Sequence, residues 1–190
     1  MIKVLVFLAD GFEEIEALSP VDYLRRAGAE VITVATGKNS VYVDGAHGIT
    51  VKADVTFEDY IRENNQLPDA VVVPGGMPGS SNIADTKEAI AFINDMVSSD
   101  KLVCAICAAP AVVLGKTEAL KNKEWCCYPD MQNNAAKFVA GHKTGVHFVH
   151  DGKLITGIGP GAAEEFSMEI VETLFGKEIA ETVKLRACQR

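Results

Sequence analysis

The chain is short of positive charge and of long apolar runs, and each shortage excludes a class of function. It has 18 lysine and arginine residues against 26 aspartate and glutamate residues, for a formal net charge of −8. With no basic stripe, we expect no nucleic-acid partner. No stretch approaches the roughly 18 apolar residues of a membrane helix, and the apolar run in MIKVLVFLADGFEE is too short for a secretory signal. We therefore expect no membrane partner either.

The few cysteines show no spacing typical of a disulfide-bonded protein. The five cysteines are odd in number and scattered, so the sequence predicts no disulfide scaffold and favours a reducing cytoplasm. Cys104 and Cys107 have the Cys-x-x-Cys spacing, but residues three apart on a strand point to opposite faces, and no second such pair follows. We interpret Cys104 as a core residue, and we expect no metal and no organic cofactor.

What the chain does contain is an alternation of β-branched runs and helix-like segments. Its 190 residues are 48% hydrophobic, which suits one domain over residues 1–190 with a substantial core. Runs that are apolar on both faces, typical of buried parallel strands, occur at Lys3–Ala9, in DAVVVPGG and in KLVCAIC. With helices between them, they predict a doubly wound, mostly parallel α/β sheet that carries helices on both faces.

Two segments depart from this alternation, and one helix carries an internal signal. SVYVDGAHGITVKAD (residues 40–54) and TGVHFVHDGKLITGI (residues 144–158) each contain Asp-Gly between short apolar runs, which predicts antiparallel hairpins. EEIEALSPVDYLRRAG predicts a helix that ends at Gly28. Inside it, Ser19 and Pro20 suit the cap and first position of a second helical piece.

The predicted sheet brings three kinds of chemistry to one edge. In open parallel sheets the functional site lies beyond the carboxyl ends of the strands. Three of the predicted strands lead there into early glutamates, a glycine pair and a thiol, namely Glu13, Glu14, Glu16, Gly75, Gly76 and Cys107. Spacing alone does not select one of the glutamates, which are also typical of a solvated first helical turn.

Cys107 stands where a strand ends and a helix with an early proline, Pro110, begins. A thiol at the first turn of a helix meets unpaired N–H groups that favour the thiolate, so we interpret Cys107 as a nucleophile at a strained elbow. A glycine N–H from Gly75-Gly76 would join that of Ala108 to bind an oxyanion or an oxidised sulfur. The alternative for Cys107 is a small residue buried only for packing, and the alternative for Gly75-Gly76 is a plain turn.

Histidine would be the natural base beside this thiol. His147 and His150 have a metal-like spacing, but on the predicted strand we expect them to face opposite sides. His47 is flanked by glycine in the hairpin at residues 40–54 and is the most available of the four histidines. We expect it to be the imidazole able to approach Cys107.

Five motifs occur in a specific order: FLADGFEEIEAL, PVDYLRRAG, DAVVVPGG, VCAICAAPAVVL and GIGPGAAEEF. In this order and spacing the chain resembles the DJ-1/ThiJ/PfpI superfamily over essentially its whole length. The resemblance implies a flavodoxin-like α/β sandwich related to class I glutamine amidotransferases, usually a homodimer. It places the reactive cysteine on Cys107, its protonated partner on Glu16, the backbone donors on Gly76 and Ala108, and an arginine near the dimer interface on Arg26.

The chain departs from this pattern at two positions. Tyr128 stands where the parkinsonism-associated branch of the superfamily has a histidine near the cysteine, and His47 stands where that branch has an arginine. The first change removes the obvious imidazole and the second offers another. We therefore treat Tyr128 and His47 as candidate accessory residues.

The resemblance implies a cysteine-dependent glyoxalase or deglycase. Such an enzyme acts on methylglyoxal-like dicarbonyls, or on their glycated adducts, through a hemithioacetal on Cys107 and without a cofactor. The alternative is a non-enzymatic redox sensor or chaperone-like protein whose Cys107 oxidises to a sulfinate. Protease and amidotransferase activities are less favoured, because Ala108 rather than histidine follows the cysteine and no His–Glu pair stands out near the C-terminus.

Overall fold

The strands of the protein, described over residues 1–189 by a computed structural model, form one large sheet and one hairpin. The strands are β1 (Lys3–Leu8), β2 (Glu30–Ala35), β3 (Tyr42–Asp44), β4 (Thr50–Lys52), β5 (Val55–Thr56), β6 (Ala70–Val73), β7 (Leu102–Ile106), β8 (Phe148–Asp151) and β9 (Leu154–Gly157). The seven-stranded sheet has the order β5-β2-β1-β6-β7-β9-β8. Every pair in it is parallel except β8 with β9, and β3 pairs with β4 as a separate antiparallel hairpin.

Helices cover both faces of the sheet. They are α1 (Glu14–Ala27), α2 (Phe57–Glu63), α3 (Gly79–Asp85), α4 (Lys87–Ser98), α5 (Ala109–Val112), α6 (Ala163–Phe175) and α7 (Lys177–Ala187). In β1, Val4 and Val6 pack in the core beneath α1 and α6, whereas Leu5 and Phe7 pack in the core beneath α2 and α4. This alternation explains why β1 is apolar at every position, and the predicted doubly wound architecture is confirmed.

Both predicted hairpins are present, but the internal helix signal was wrong. Helix α1 runs unbroken through Pro20, so Ser19 does not cap a second helical piece. The proline ring removes only one N–H from the helix, and Pro20 is buried. One turn later, the Tyr23 hydroxyl donates a hydrogen bond to Glu164 of α6 at 3.1 Å. Packing against α6 therefore holds the helix together. None of the helices in the described residues has the length and apolar character of a membrane span.

Candidate active site at the β7–α5 elbow

Cys107 occupies the sharp turn between β7 and α5. Its φ angle is +64°, a left-handed conformation that is costly for a residue with a Cβ. Two backbone hydrogen bonds hold the turn: the Cys107 N–H donates to the Gly157 carbonyl at 2.9 Å, and the Tyr128 N–H donates to the Cys107 carbonyl at 2.8 Å. The strained elbow expected from the sequence is therefore present, and it is fixed by two neighbouring segments.

The glycine pair after β6 brings backbone donors to this elbow. A Cβ on Gly75 would lie 2.6 Å from both the Cys107 Cβ and Glu16 Oε2, so only glycine lets the three residues meet. Gly76 has φ of +87°, and the backbone N–H groups of Gly76 and Ala108 both act to lower the pKa of the Cys107 thiol. The structure thus brings Gly76 and Ala108 to the thiol, the two positions expected to supply backbone donors.

Glu16 points inward from the first turn of α1 and is fully buried. Its Oε2 accepts the Gly75 N–H at 2.8 Å, and its buried Oε1 has no hydrogen-bond partner among the described residues. The carboxyl group and Cys107 meet across Gly75. Burial raises the pKa of Glu16 to about 7, with a further increase from the Glu13 charge, while the hydrogen bonds from Cys107 and Gly75 oppose the rise.

The pKa of the Cys107 thiol is raised, although its position at a helix start predicts a lowered value. Burial raises the pKa of Cys107 to about 12, the Glu16 carboxylate raises it further, and the N–H groups of Gly76 and Ala108 oppose the rise. Helix α5 is a single turn and contributes little dipole, and burial outweighs the two N–H groups, so the expected lowering of the thiol pKa is not seen. Between pH 7 and 12 the pair holds one proton, and a thiolate forms when Glu16 carries it.

The structure pairs His47 with Glu14 and not with the thiol. Its Nδ1 lies 2.7 Å from Glu14 Oε2, and its backbone N–H donates to Glu14 Oε1, also at 2.7 Å. No hydrogen bond joins any histidine to Cys107 within residues 1–189. The predicted approach of His47 to Cys107 is therefore not seen as a direct contact.

The other predicted residues take peripheral places. Tyr128 supports the elbow through its backbone, and its side chain is half-exposed beside Gly159. Arg26 is on the exposed last turn of α1, the same helix as Glu16, and its Nε donates to Asp22 at 2.5 Å. A cavity of about 580 Å³ lies between α2 and α4 at the end of β2. Neither Cys107 nor Glu16 lines it, so it is not part of the site at the elbow.

His147 and His150 do not face opposite sides as expected. Their Nδ1 atoms contact Glu165 at 2.8 Å and Glu169 at 2.6 Å, and these glutamates are one turn apart on α6. His147 precedes β8 rather than lying within it, so the alternation of a strand does not apply to the pair.

Sequence reasoning missed two supports of the site. Gly157 holds the Cys107 N–H from the neighbouring strand, and Glu13 caps α1 by accepting the Glu16 N–H at 2.7 Å. The glutamate run could have suggested the cap, because an acidic side chain before a helix commonly accepts such an N–H. No local signal marks Gly157, which meets Cys107 only through the pairing of β7 with β9.

Comparisons with known proteins agree with this geometry. The profile of the DJ-1/PfpI family matches residues 2–173. Protein DJ-1 homolog B of Arabidopsis thaliana is 38% identical over 178 residues, which are 94% of this chain and 39% of that protein. The chain therefore spans less than half the length of this relative. The glutathione-independent glyoxalase DJR-1.2 of Caenorhabditis elegans is 32% identical over 167 residues, 87% of this chain and 84% of that protein.

A solved structure has the same fold over nearly the whole chain. Oxidized DJ-1 of Toxoplasma gondii has a TM-score of 0.90 and 34% identity to this protein, covering 99% of this chain and 98% of that one. The matches in sequence and in structure confirm the resemblance and the α/β fold of the class I glutamine amidotransferase type. The chain belongs to the DJ-1/PfpI family.

Proposed function

We propose that this protein is a cysteine-dependent enzyme of the glyoxalase or deglycase type, acting on methylglyoxal-like dicarbonyls or their adducts. The observation that carries the proposal is the close approach of the buried Glu16 carboxyl to Cys107 across Gly75, with the backbones of Gly76 and Ala108 acting on the same thiol. The Caenorhabditis elegans relative, a glyoxalase by name, supports it.

The first step is addition of the thiol to the aldehyde. The proton of Cys107 passes to Glu16, the sulfur forms a bond to the aldehyde carbon, and the carbonyl π electrons move to oxygen. The N–H groups of Gly76 and Ala108, released from the sulfur, stabilise the oxyanion. Protonation of that oxygen by Glu16 gives the neutral hemithioacetal and restores the carboxylate.

The second step is an internal oxidation and reduction that needs no external electron acceptor. Glu16 removes the proton from the former aldehyde carbon to give an enediolate and returns it to the neighbouring carbon, while the hydroxyl proton of the first carbon passes to the oxygen of the second, which leaves a thioester on Cys107. Water cleaves the thioester, so methylglyoxal and one water give lactate and the free thiol. A glycated amine or thiol that releases its amine or thiol, which takes up the hydroxyl proton of the adduct, restores the aldehyde, and the same two steps then follow.

The reaction requires no cofactor, and we place it in a homodimer in a reducing cytoplasm. All five cysteines are free, and the helix that carries Glu16 also presents the exposed Arg26. Light scattering should give a species of about twice the chain mass of 20.3 kDa. A 20.3 kDa species alone at micromolar concentration would contradict the dimer.

The deciding experiment is turnover of methylglyoxal by the full chain and two cysteine variants. We expect Cys107→Ser to lose activity by at least about a thousandfold, because the hydroxyl is a far weaker nucleophile here. Cys188→Ser is the matched control, since Cys188 is exposed and distant in sequence from the elbow. Equal turnover by Cys107→Ser and the wild type would refute the proposal.

A second function, peroxide sensing, uses the same observation differently. The two N–H groups on the Cys107 sulfur would stabilise a sulfinate, formed when peroxide transfers one oxygen atom per molecule to the thiolate and leaves as water. The related Toxoplasma gondii structure is described as oxidized. Oxidation of Cys107 without turnover of any dicarbonyl would favour the sensor over the enzyme.

A further inference from the structure

Two large apolar side chains are exposed on segments that border the Cys107 elbow. Met77, directly after Gly76, is 51% exposed, and Tyr128 is 48% exposed. Cys107 itself is only 9% exposed, so a substrate reaches its sulfur through a narrow opening. Exposed apolar surface is unfavourable in water, and beside a reactive group it indicates a surface that a bound molecule covers.

The turn that carries Met77 is fixed to the start of α1. The Glu13 N–H donates to the Gly75 carbonyl at 3.0 Å, two residues before Met77. The Ser81 hydroxyl lies 3.9 Å from the Met77 sulfur, and a thioether is a weak hydrogen-bond acceptor. The backbone beside Met77 and its sulfur therefore both have a contact that limits their movement.

Tyr128 is fixed to the elbow itself. Its N–H donates to the Cys107 carbonyl at 2.8 Å. A Cβ on Gly159 would lie 3.5 Å from the Tyr128 ring, so the ring lies against the backbone two residues after Gly157, whose carbonyl accepts the Cys107 N–H. The ring is thus placed beside the two segments that hold Cys107, with about half of the residue surface open.

We propose that Met77 and Tyr128 are specificity-determining residues, and that the site favours 2-oxoaldehydes with an aromatic substituent over methylglyoxal. This inference rests on the proposed function, whose substrate class it narrows. The aldehyde carbon must meet the Cys107 sulfur inside the opening, so the rest of the substrate extends outward, past the segments that carry the two exposed side chains. A methyl group is too short to lie against both, whereas a phenyl ring is long enough.

The two side chains suit an aromatic ring for different reasons. Methionine is flexible, and its polarisable sulfur makes favourable contacts with aromatic rings. Tyrosine packs against a second ring in an edge-to-face or offset arrangement. Each such contact corresponds to about a two- to tenfold gain in affinity. The phenyl ring would also cover apolar surface that Met77 and Tyr128 leave exposed.

The test compares 2-bromoacetophenone with bromoacetone as labels of Cys107 in a Cys188→Ser background. In each reaction the sulfur displaces bromide from the methylene carbon and the thiol proton goes to the buffer, so the reagents differ only in phenyl against methyl. Mass spectrometry gives the rate constant for each reagent. We expect the phenyl-to-methyl ratio to fall at least about threefold in Met77→Ala and in Tyr128→Ala, because each variant loses one contact with the ring. A change in thiol reactivity acts on both reagents and cancels in the ratio.

Tyr128→Phe and Val139→Ala are the matched controls. Phenylalanine keeps the ring and should keep the wild-type ratio, which separates ring packing from a role of the hydroxyl. Val139 is similarly exposed, at 46%, but its carbonyl bonds to His142 and not to an elbow residue, so the ratio should again be unchanged. An unchanged ratio in Met77→Ala or Tyr128→Ala would overturn the assignment of that residue, and an equal fall in Val139→Ala would overturn both.

Turnover separates this proposal from the proposed function. The kcat/KM of the wild type should be higher for phenylglyoxal than for methylglyoxal, and the ratio should fall in the same two alanine variants. A wild type that uses methylglyoxal more efficiently would overturn the preference for an aromatic substituent. A wild type that turns over neither compound would contradict the proposed function, and the labelling ratio would still decide whether Met77 and Tyr128 select an aromatic group at Cys107.

Discussion

Two glutamates in the first turn of α1 are buried alike and charged differently. Glu16 faces inward to Cys107 and is 0% exposed, while Glu14 faces outward to His47 and is 5% exposed. Burial raises the pKa of Glu16 to about 7. Burial also acts to raise the pKa of Glu14, but the hydrogen bonds from the His47 side chain and backbone outweigh it, and the pKa is lowered.

The comparison shows that burial alone does not fix the charge of a carboxyl group here: it acts to raise both pKa values, and only the hydrogen bonds from His47 reverse its effect at Glu14. Glu14 meets an imidazole that can become cationic and stays ionised, whereas Glu16 meets a thiol and one N–H, and takes up a proton near neutral pH. Glu16 is therefore suited to moving protons, whereas Glu14, two residues before it in the sequence, is suited to holding a negative charge.

The largest expected difference is in turnover. Glu16→Gln should reduce methylglyoxal turnover by about 10²- to 10⁴-fold, because the amide keeps hydrogen-bonding capacity but cannot carry the proton. Glu14→Gln is the control on the outer side and should change turnover by no more than a few-fold. Steady-state kinetics on both variants would decide, and equal losses would remove the distinction between the two glutamates.

Stability against pH should change in opposite directions for the same two variants. The pKa of Glu16 is raised from 4.5 to about 7, so its contribution to stability is complete below pH 4.5 and is lost as pH rises through 7. Glu16→Gln should therefore stabilise the protein at pH 8 by about 3 kcal/mol, and hardly at pH 4.

The pKa of Glu14 is lowered, so its contribution is present above pH 4.5 and is lost as pH falls through the lowered value. Glu14→Gln should destabilise at pH 7 and have little effect in acid. Urea unfolding from pH 8 down to about pH 2 measures both slopes, and parallel slopes would contradict the assignment of opposite shifts.

The contact between Glu16 and Cys107 can be broken without touching either residue. In Gly75→Ala the new Cβ would lie 2.6 Å from both groups, and we expect a loss of about 1 to 3 kcal/mol in unfolding free energy together with lost turnover. Gly161→Ala is the control, because nothing lies within 4 Å of its Cβ position. Denaturant unfolding that leaves Gly75→Ala as stable as Gly161→Ala would show that the close packing at the elbow is not required.

The smallest effect concerns the pH at which Cys107 becomes reactive. Below pH 7 both members of the pair are protonated, and above it one proton is shared, so the alkylation rate of the chelator-treated chain should begin to rise near pH 7. Glu16→Gln removes the negative charge and should return the thiol to a single transition. A wild-type rate that rises only at or above the free-thiol value of about 8.5 would show that no thiolate forms by proton transfer to Glu16.

Local patterns predicted much of the fold, and contacts distant in sequence account for what they missed. Runs apolar on both faces identified the parallel strands, and VCAIC followed by AAP identified the elbow at Cys107. Choosing Glu16 from three glutamates needed the resemblance, because spacing does not tell how α1 is rotated over the sheet. The thiol pKa was misjudged because burial of the sulfur, the largest cause of the rise, and the shortness of α5 both come from folding.

The hydrogen bonds on either side of Cys107 also govern how the elbow moves. The residue joins β7 to β9 through its N–H and to the segment around Tyr128 through its carbonyl, so it is a junction of three chain segments. Local opening must break both bonds together, and the Cys107 and Tyr128 amides should therefore exchange with deuterium only in large, cooperative fluctuations. Reactivity at this thiol would then arise from a rigid junction rather than from a mobile loop.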